Sequence, residues 1–574
     1  MHATQKLLAS FFVFSLLIVG FLHPISAITQ DLGRHLLIGE LILQTGSVPK
    51  TNLLSYTNPD FPFINHHWLS EVIFYLIHTL AGFNGLLIFT ILTVTTSFGL
   101  LFFPLLKKTN ILPITIASLL YLRVLFERTD VRPEIFSFLF LSLFLVILYR
   151  YREKYTRWIF LLPFLELLWV NMHIYFIVGI GVIGLFLIDY LIKNRKQLNH
   201  HYTSILVVIL FASIFATFLN PNGIDGALYP FHVFQNYGYT IEENQTVFFL
   251  WNYFGGKTTI LYFFISVAAL FLTLLLTFKR TRPIDWMLAI FFTALAANAE
   301  RNFSLFVFGT FTIFVIHLSL ILEKATTHIK KLPALQSIIL LTLFCLFIWQ
   351  GNQVIAQKPL GLGVESGAKN GADFLLKKRI NGPIFNNFDI GSYLAYRLFP
   401  KEKVFIDGRP EAYPAMFIQE VYIPMQTEKK RFDAVIKQYN IYTIFFSHTD
   451  QTPWAQTFLK WIVEDEMWKI VYLDDYVIIL IKNTEENKQL IQKYAIGRSS
   501  LRISNAHKTS LSFLRLANFF RVVGWPEHEE KIYHELLKVD PNSCIALYNL
   551  YIYLSQRSDP VASLFMTRFQ ENCQ

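Results

Sequence analysis

The chain has 574 residues, of which 53% are hydrophobic, 16% aromatic and only 16% charged, with a mean hydropathy of +0.42 and a net charge of +10. A soluble domain carries about a quarter charged residues, so an ordinary cytosolic enzyme, a disordered chain and a small disulfide scaffold are excluded. The three cysteines, Cys345, Cys544 and Cys573, offer no CxxC spacing and no metal framework.

Apolar runs suited to crossing a bilayer, which takes about 20 residues, fall near 7–28, 84–106, 111–126, 133–149, 158–171, 174–192, 203–219, 258–278, 284–299, 302–322 and 334–350. They predict about eleven transmembrane helices, with the pair at 158–192 also readable as one long helix. Lys and Arg concentrate in one set of alternate loops: Lys107 and Lys108; Arg150, Arg152, Lys154 and Arg157; Lys193, Arg195 and Lys196; Lys279, Arg280 and Arg282; Lys324, Lys330 and Lys331. Cytoplasmic loops are enriched in these residues, which predicts an inside N-terminus and an outside C-terminus. The positive charge is therefore a topology signal, and no nucleic-acid partner is expected. Lys6, the first apolar run and Ala27 also resemble a secretory signal. Its removal would break the alternation, so the run is read as a retained span.

Ionisable groups at membrane depth are costly and mark function by default. Here they gather at the outer span ends: Asp31, Glu71, "ERTDVRPE" (Glu127 to Glu134), "WVNMH" (Trp169 to His173), "LNPNG" (Leu219 to Gly223) and "NAERN" (Asn298 to Asn302). The pattern predicts a shared outer cavity. The first outer loop, 29–83, opens with helical spacing at Leu36, Leu37, Ile42 and Leu43. It then turns extended through "YTNPDFPFINHHWLSE" and re-enters the membrane by a short helix. Asp31 fits either a helix N-cap or a functional carboxylate.

These residues carry a resemblance. The loop, with Asp31, Gly39, Gly46, Pro49, Trp68, Leu69 and Glu71, is similar to the first extracytoplasmic loop of the C-type glycosyltransferases, polytopic enzymes that use lipid-phosphate-linked sugars. Protein O-mannosyltransferases and bacterial aminoarabinose transferases are examples. "RTDVRPEIFSF", "WVNMH", "LNPNG", "RNFSLF" and the later "GPIFNNFDIGSYLAYRLFPKEKVFIDGRPEAY" resemble recurring motifs of bacterial members. Many members show two adjacent acids where Asp31 stands alone between Gln30 and Leu32.

The resemblance implies sugar transfer from a polyprenyl phosphate. That leaving group departs as an anion without protonation, so one general base suffices. Asp31 is the expected base, with Glu71 the second catalytic carboxylate. Cations should meet the phosphate, and Arg does so bidentately; Arg128, Arg132, Arg301 and Arg409 are the candidates. His66, His67, Trp68, Asn171 and His173 are candidates for sugar or acceptor binding. Asn171 and His173 fit interhelical hydrogen bonding equally well. No cofactor is expected. A divalent metal on His66 and His67, with Asp60 and Glu71, is an alternative to two interfacial histidines.

Beyond residue 350 the composition becomes soluble. "NGADFLLKKRI" and "RFDAVIKQYN" read as helices, "KVFIDGRP" as a strand and turn, "IYTIFFS" as a strand, and "WKIVYLDDYVIILIK" as a hairpin around Asp474 and Asp475. Asp407, Arg409 and Glu411 lie in an Asp-Gly turn that is either structural or catalytic. From about 507 the chain is helical, and "TSLSFLRLANFF" aligns with "SCIALYNLYIYL" so that Leu516 matches Leu550, a period like that of tetratricopeptide hairpins. A Cys544–Cys573 disulfide fits an oxidising compartment, though spacing does not establish it.

The expected architecture is a polytopic α-helical membrane protein with a transmembrane catalytic module (1–350), an extracytoplasmic α/β domain (351–483) and a helical, tetratricopeptide-like tail (484–574). The expected protein is a bacterial inner-membrane glycosyltransferase. It would move a sugar, with inversion, from a polyprenyl-phosphate donor to a glycan, lipid or protein acceptor. Its tail is a candidate surface for a protein partner. The rivals are a transporter or flippase of lipid-linked saccharides, which should show internal repeats, and a non-catalytic envelope scaffold. A nucleotide-sugar enzyme is disfavoured because no DxD motif lies in a soluble catalytic domain.

Overall fold

The apolar runs fold as helices whose ends are set by residues that cannot continue them. The computed structural model describes residues 2–26, 31–193, 200–232, 235–326, 332–501 and 508–573. Ala27, Arg195, Lys196, Lys330 and Lys331, used above for processing and topology, lie outside the described residues. Among the described residues, seven helices are long and apolar enough to cross a membrane: Thr4–Phe21, Trp68–Lys108, Glu134–Glu153, Phe176–Lys193, Thr258–Leu276, Glu300–Lys324 and Ile338–Gln357. Ile111–Leu125, His201–Thr217 and Pro283–Asn298 are apolar but shorter. The 158–192 region is two elements, because a turn at 171–175 separates Leu162–Val170 from Phe176–Lys193. The first of these, about 14 Å long at 1.5 Å per residue, continues a 3₁₀ turn, Arg157–Leu161.

The first loop forms the expected helix, Leu32–Thr45, and packs it along the start of Trp68–Lys108. Gly39 permits the approach: a Cβ there would lie 2.2 Å from the Glu71 carbonyl oxygen. The long helix breaks at Gly82, where φ is 62° and ψ −161°. That conformation favours a residue without Cβ, and it separates the short re-entrant helix from the span proper.

The α/β unit is built on a four-stranded sheet in the order β1-β2-β4-β3. Strand β1 (Ile384–Asn386) runs parallel to β2 (Thr443–Ser447), while β4 (Val477–Lys482) is antiparallel both to β2 and to β3 (Trp468–Leu473). The hairpin turns at Asp474, whose carboxylate accepts the backbone N–H groups of Tyr476 and Val477. "KVFIDGRP" is not a strand of this sheet. Val404 and Phe405 are extended, but their backbone partners lie elsewhere. Val404 pairs with Leu54 and Tyr56 of the first loop, and the Asn386 side chain takes the Phe405 N–H and the Ile406 carbonyl. The loop and the α/β unit are thus stitched together. Four further helices, Ser510–Val522, Pro526–Val539, Cys544–Gln556 and Ala562–Cys573, pack each on the next. A Cys544–Cys573 disulfide ties the last two.

Candidate functional site

A cavity of about 110 Å³ opens where the helix ends meet the α/β unit. Asp31, Arg34 and His35 reach it from the first-loop helix, His66 and His67 from the extended stretch, and Arg128 and Arg132 from the loop before Glu134–Glu153. His173, Tyr229, Glu243 and Arg301 complete the helix side, while Gly408 and Glu411 line it from the α/β unit. Of the residues singled out in the sequence, Asp31, His66, His67, Arg128, Arg132, His173 and Arg301 are brought together here. Glu71, Trp68, Asn171 and Arg409 are not.

Asp31 occupies the N-cap position of Leu32–Thr45, yet its side chain makes no capping hydrogen bond. It faces Arg34 instead, at 3.3 Å, and remains 31% exposed. Burial pushes its carboxyl up, but the charges of Arg34, Arg132 and His35 outweigh this and hold it below the usual range. The carboxylate is therefore ionised. Arg34, which the sequence reading passed over, is 5% exposed, and its buried Nε and Nη1 have no hydrogen-bond acceptor among the described residues. A site residue three positions along a helix from a candidate carboxylate was findable by its spacing.

Glu71 lies behind this pair rather than in the cavity. Its carboxyl, fully buried, accepts from Asn65 Nδ2 at 2.6 Å, shares a hydrogen bond with His35 Nδ1 at 2.9 Å and sits 3.7 Å from Arg34. With both oxygens engaged it can position His35 and Arg34 but cannot reach a substrate. Arg128 is clamped by Glu134 at 2.8 to 3.1 Å and also donates to Glu243. Arg132 donates to the same Glu243 at 3.0 Å. Burial pushes the Glu243 carboxyl up, but the guanidinium charges of Arg128 and Arg132 outweigh it and leave it well below its ordinary range. Arg301 donates to Asn244 Oδ1 at 3.0 Å and stands over the Tyr175 ring.

The histidines are neutral. Burial pushes His66 down to about 3 and takes His67 and His173 well below their ordinary value. The Ser137 hydroxyl accepts from the Trp169 indole and shares a hydrogen bond with His173 Nδ1, both at 2.8 Å. The metal set of His66, His67, Asp60 and Glu71 does not converge. Glu71 is taken by Asn65 and His35, and His66 lies between the His67 and Tyr229 rings at 3.8 and 4.7 Å. Among the described residues no three His, Cys, Asp or Glu side chains come together as a metal site, and the cation beside Asp31 is a guanidinium.

Trp68 and Asn171 pair with each other. The indole donates to Asn171 Oδ1 at 2.7 Å, and the Asn171 amide donates to the Leu167 and Leu219 carbonyls. They join helix ends and do not face the cavity. Arg409 is 1% exposed, held bidentately by Asp407 at 2.7 Å, donating to Asn52 at 2.8 Å and lying over the Phe63 ring. Its Nε and Nη2 are thus spent on Asp407 and Asn52, which fastens the first loop to the α/β unit, and Arg409 does not line the cavity.

No protein-family model matches the sequence, and no curated protein does. In fold, however, the chain is similar to the oligosaccharyltransferase AglB of Archaeoglobus fulgidus. With that enzyme in complex with an inhibitory peptide and a dolichol-phosphate, the TM-score is 0.54 at 12% identity, over 82% of this chain and 72% of the other. With the enzyme tethered to an acceptor peptide, it is 0.54 at 11% identity, over 84% and 74%. ArnT from Cupriavidus metallidurans bound to undecaprenyl phosphate overlaps 83% of this chain and 97% of its own, at a TM-score of 0.46 and 12% identity. The chain thus shares the fold of the archaeal oligosaccharyltransferase and carries a set of apolar, membrane-length helices. The likeness to the archaeal enzyme is one of fold.

Proposed function

We propose that the protein is a membrane glycosyltransferase that moves a sugar from a polyprenyl-phosphate donor to an acceptor outside the cytoplasm. The observation that carries the reading is an uncapped, partly exposed Asp31 carboxylate sharing one cavity with Arg128, Arg132 and Arg301. The related fold of an enzyme described with a dolichol-phosphate supports the donor class. The acceptor hydroxyl attacks the anomeric carbon, its proton passes to Asp31, and the sugar–phosphate bond breaks with both electrons leaving on the phosphate oxygen. A single displacement of this kind inverts the anomeric centre. Arg128, Arg132 and Arg301 meet the departing anion, while Glu71, through His35 and Arg34, fixes the base. His173, which lines the cavity, is a hydrogen-bonding partner for a sugar hydroxyl.

The chain would cross a bacterial inner membrane about eleven times, N-terminus inside, with residues 351–483 and the tetratricopeptide-like tail 484–574 outside. The tail is the surface for a protein partner. Purified protein should transfer label from a defined polyprenyl-phosphate sugar, and Asp31→Asn, expressed and folded normally, should lose about 10²- to 10⁴-fold in kcat. Unchanged turnover in that variant would sink the base assignment. Neither transfer nor carrier binding by the wild type, across a panel of donor sugars, would sink the enzyme.

A further inference from the structure

The helix that opens at Glu134 and the helix Trp68–Lys108, which follows His67, carry a second cavity at their far ends. Glu134 lines the first cavity, and Tyr149, Arg150 and Glu153 of the same helix line the second. At 1.5 Å per residue the stretch from Glu134 to Tyr149 is about 22 Å long, most of the thickness of a bilayer core. The far cavity is the roomier, at about 440 Å³.

Its wall is apolar, formed by Leu101, Phe103, Leu105, Val146 and Ile316. Its rim is basic: Lys107, Lys108, Arg150 and Arg282 stand against one carboxylate, Glu153. Glu153 is taken by Lys108 at 2.7 Å, and Arg282 is held by Asp285 at 2.8 Å. Lys107 and Arg150 have no ion-pair partner among the described residues, and both are exposed. Two polar groups in the wall also lack their usual mates. The Tyr149 hydroxyl is buried with no hydrogen-bond partner among the described residues, and Pro104, inside its helix, has no N–H to give the Leu100 carbonyl.

We infer that this cavity holds one anionic phospholipid. The rim cations take its phosphate, the Tyr149 hydroxyl donates to a phosphate or ester oxygen, and the apolar wall receives an acyl chain. Basic pockets between helices at the negatively charged face of a membrane select such headgroups, and the loops that bear this rim belong to the Lys- and Arg-rich set. A leaflet phospholipid is the occupant rather than the sugar carrier, because the carrier phosphate must sit at the other end of the helices to react. The choice between these two lipids rests on the proposed transfer site, whereas the basic rim and apolar wall do not depend on it.

Native mass spectrometry of the full chain in detergent tests it, with phosphatidylglycerol, phosphatidylethanolamine and undecaprenyl phosphate offered at equal concentration. The wild type should retain one phosphatidylglycerol in preference to phosphatidylethanolamine. The Lys107→Gln/Arg150→Gln variant should retain it about tenfold less or weaker still, and Tyr149→Phe should weaken it to a smaller degree. Added phosphatidylglycerol should raise the melting temperature of the wild type and not that of the double variant. Because Lys107 and Arg150 are exposed, Arg150→Gln alone serves if the double variant folds poorly. Equal retention of the two phospholipids, or undiminished retention by the variants, overturns the proposal. Displacement of phosphatidylglycerol by undecaprenyl phosphate also overturns it, in favour of a second carrier site.

Discussion

Asp31–Arg34 and Asp407–Arg409 are both aspartate–arginine pairs a few residues apart in sequence, and they meet in space. The backbone at Gly408 comes so close to Asp31 that a Cβ there would lie 2.7 Å from its Oδ1. The Asp407–Arg409 pair is sealed. Both side chains are at most 1% exposed, the guanidinium makes two hydrogen bonds of 2.7 Å to its partner, Asn52 accepts one more from Arg409, and Tyr413 donates to Asp407. The Asp31–Arg34 pair is unfinished, its carboxylate 31% exposed and two arginine nitrogens without hydrogen-bond acceptors among the described residues. The same residue types at nearly the same spacing therefore serve as a rivet in one place and a reactive edge in the other. What separates them is whether the carboxylate is closed in by the protein or left open to the cavity.

The largest expected contrast comes from breaking the rivet. Arg409→Met leaves Asp407 ionised and unpaired in the interior, which costs about 3–5 kcal/mol. Expression and melting temperature should fall sharply, while the protein that does fold keeps its donor KM. A raised donor KM at normal stability would return Arg409 to the phosphate site. Arg132→Gln should behave in the opposite way. It removes a cation that faces the cavity and is 20% exposed, so folding should survive while donor kcat/KM falls about ten- to a hundredfold, the range for a hydrogen bond to a charged group. A purely structural effect, with lower stability and unchanged kinetics, would remove Arg132 from the donor site.

The sequence makes one side of this contrast readable and hides the other. Apolar length locates the helices because lipid tolerates little else, and polar residues at span ends stand out against it. Asp31, Arg128, Arg132 and Arg301 were visible on those grounds. Glu243 was not: its partners Arg128 and Arg132 are more than a hundred residues away, and nothing local marks it. Arg409 was misread because burial by Asn52 and Phe63, both in the first loop, carries no local sign. Val404 and Phe405 alternate like a strand, and alternation does not reveal that the partner is a loop and an asparagine side chain instead of the sheet.

A finer test uses pH. Asp31 is held below its ordinary range because Arg34, Arg132 and His35 oppose the upward push of burial. The base is then already deprotonated throughout the range above the usual aspartate value of about 3.9, and kcat/KM should show no acid limb from Asp31 between neutrality and that value. Arg34→Gln removes the first-named opposing charge and leaves burial in place. The Asp31 carboxyl must rise, the fraction protonated at a given pH must increase, and an acid limb should enter the measured window from below. A profile in Arg34→Gln that overlays the wild type would show that Arg34 does not tune the base.

The smallest effect belongs to Trp68, which lies within a loop that faces the site but outside the cavity itself. Its indole N–H donates to Asn171 Oδ1, while the Asn171 amide is separately held by two backbone carbonyls. Trp68→Phe keeps the ring that packs against its helix neighbours and deletes one hydrogen bond in a half-buried place. The loss should be about 1 kcal/mol, read as a small drop in melting temperature with both substrate KM values unchanged. If stability held and the donor KM moved instead, Trp68 would have to be in contact with the sugar during turnover. The first-loop helix would then have to shift against Trp68–Lys108, at the very contact Gly39 makes tight.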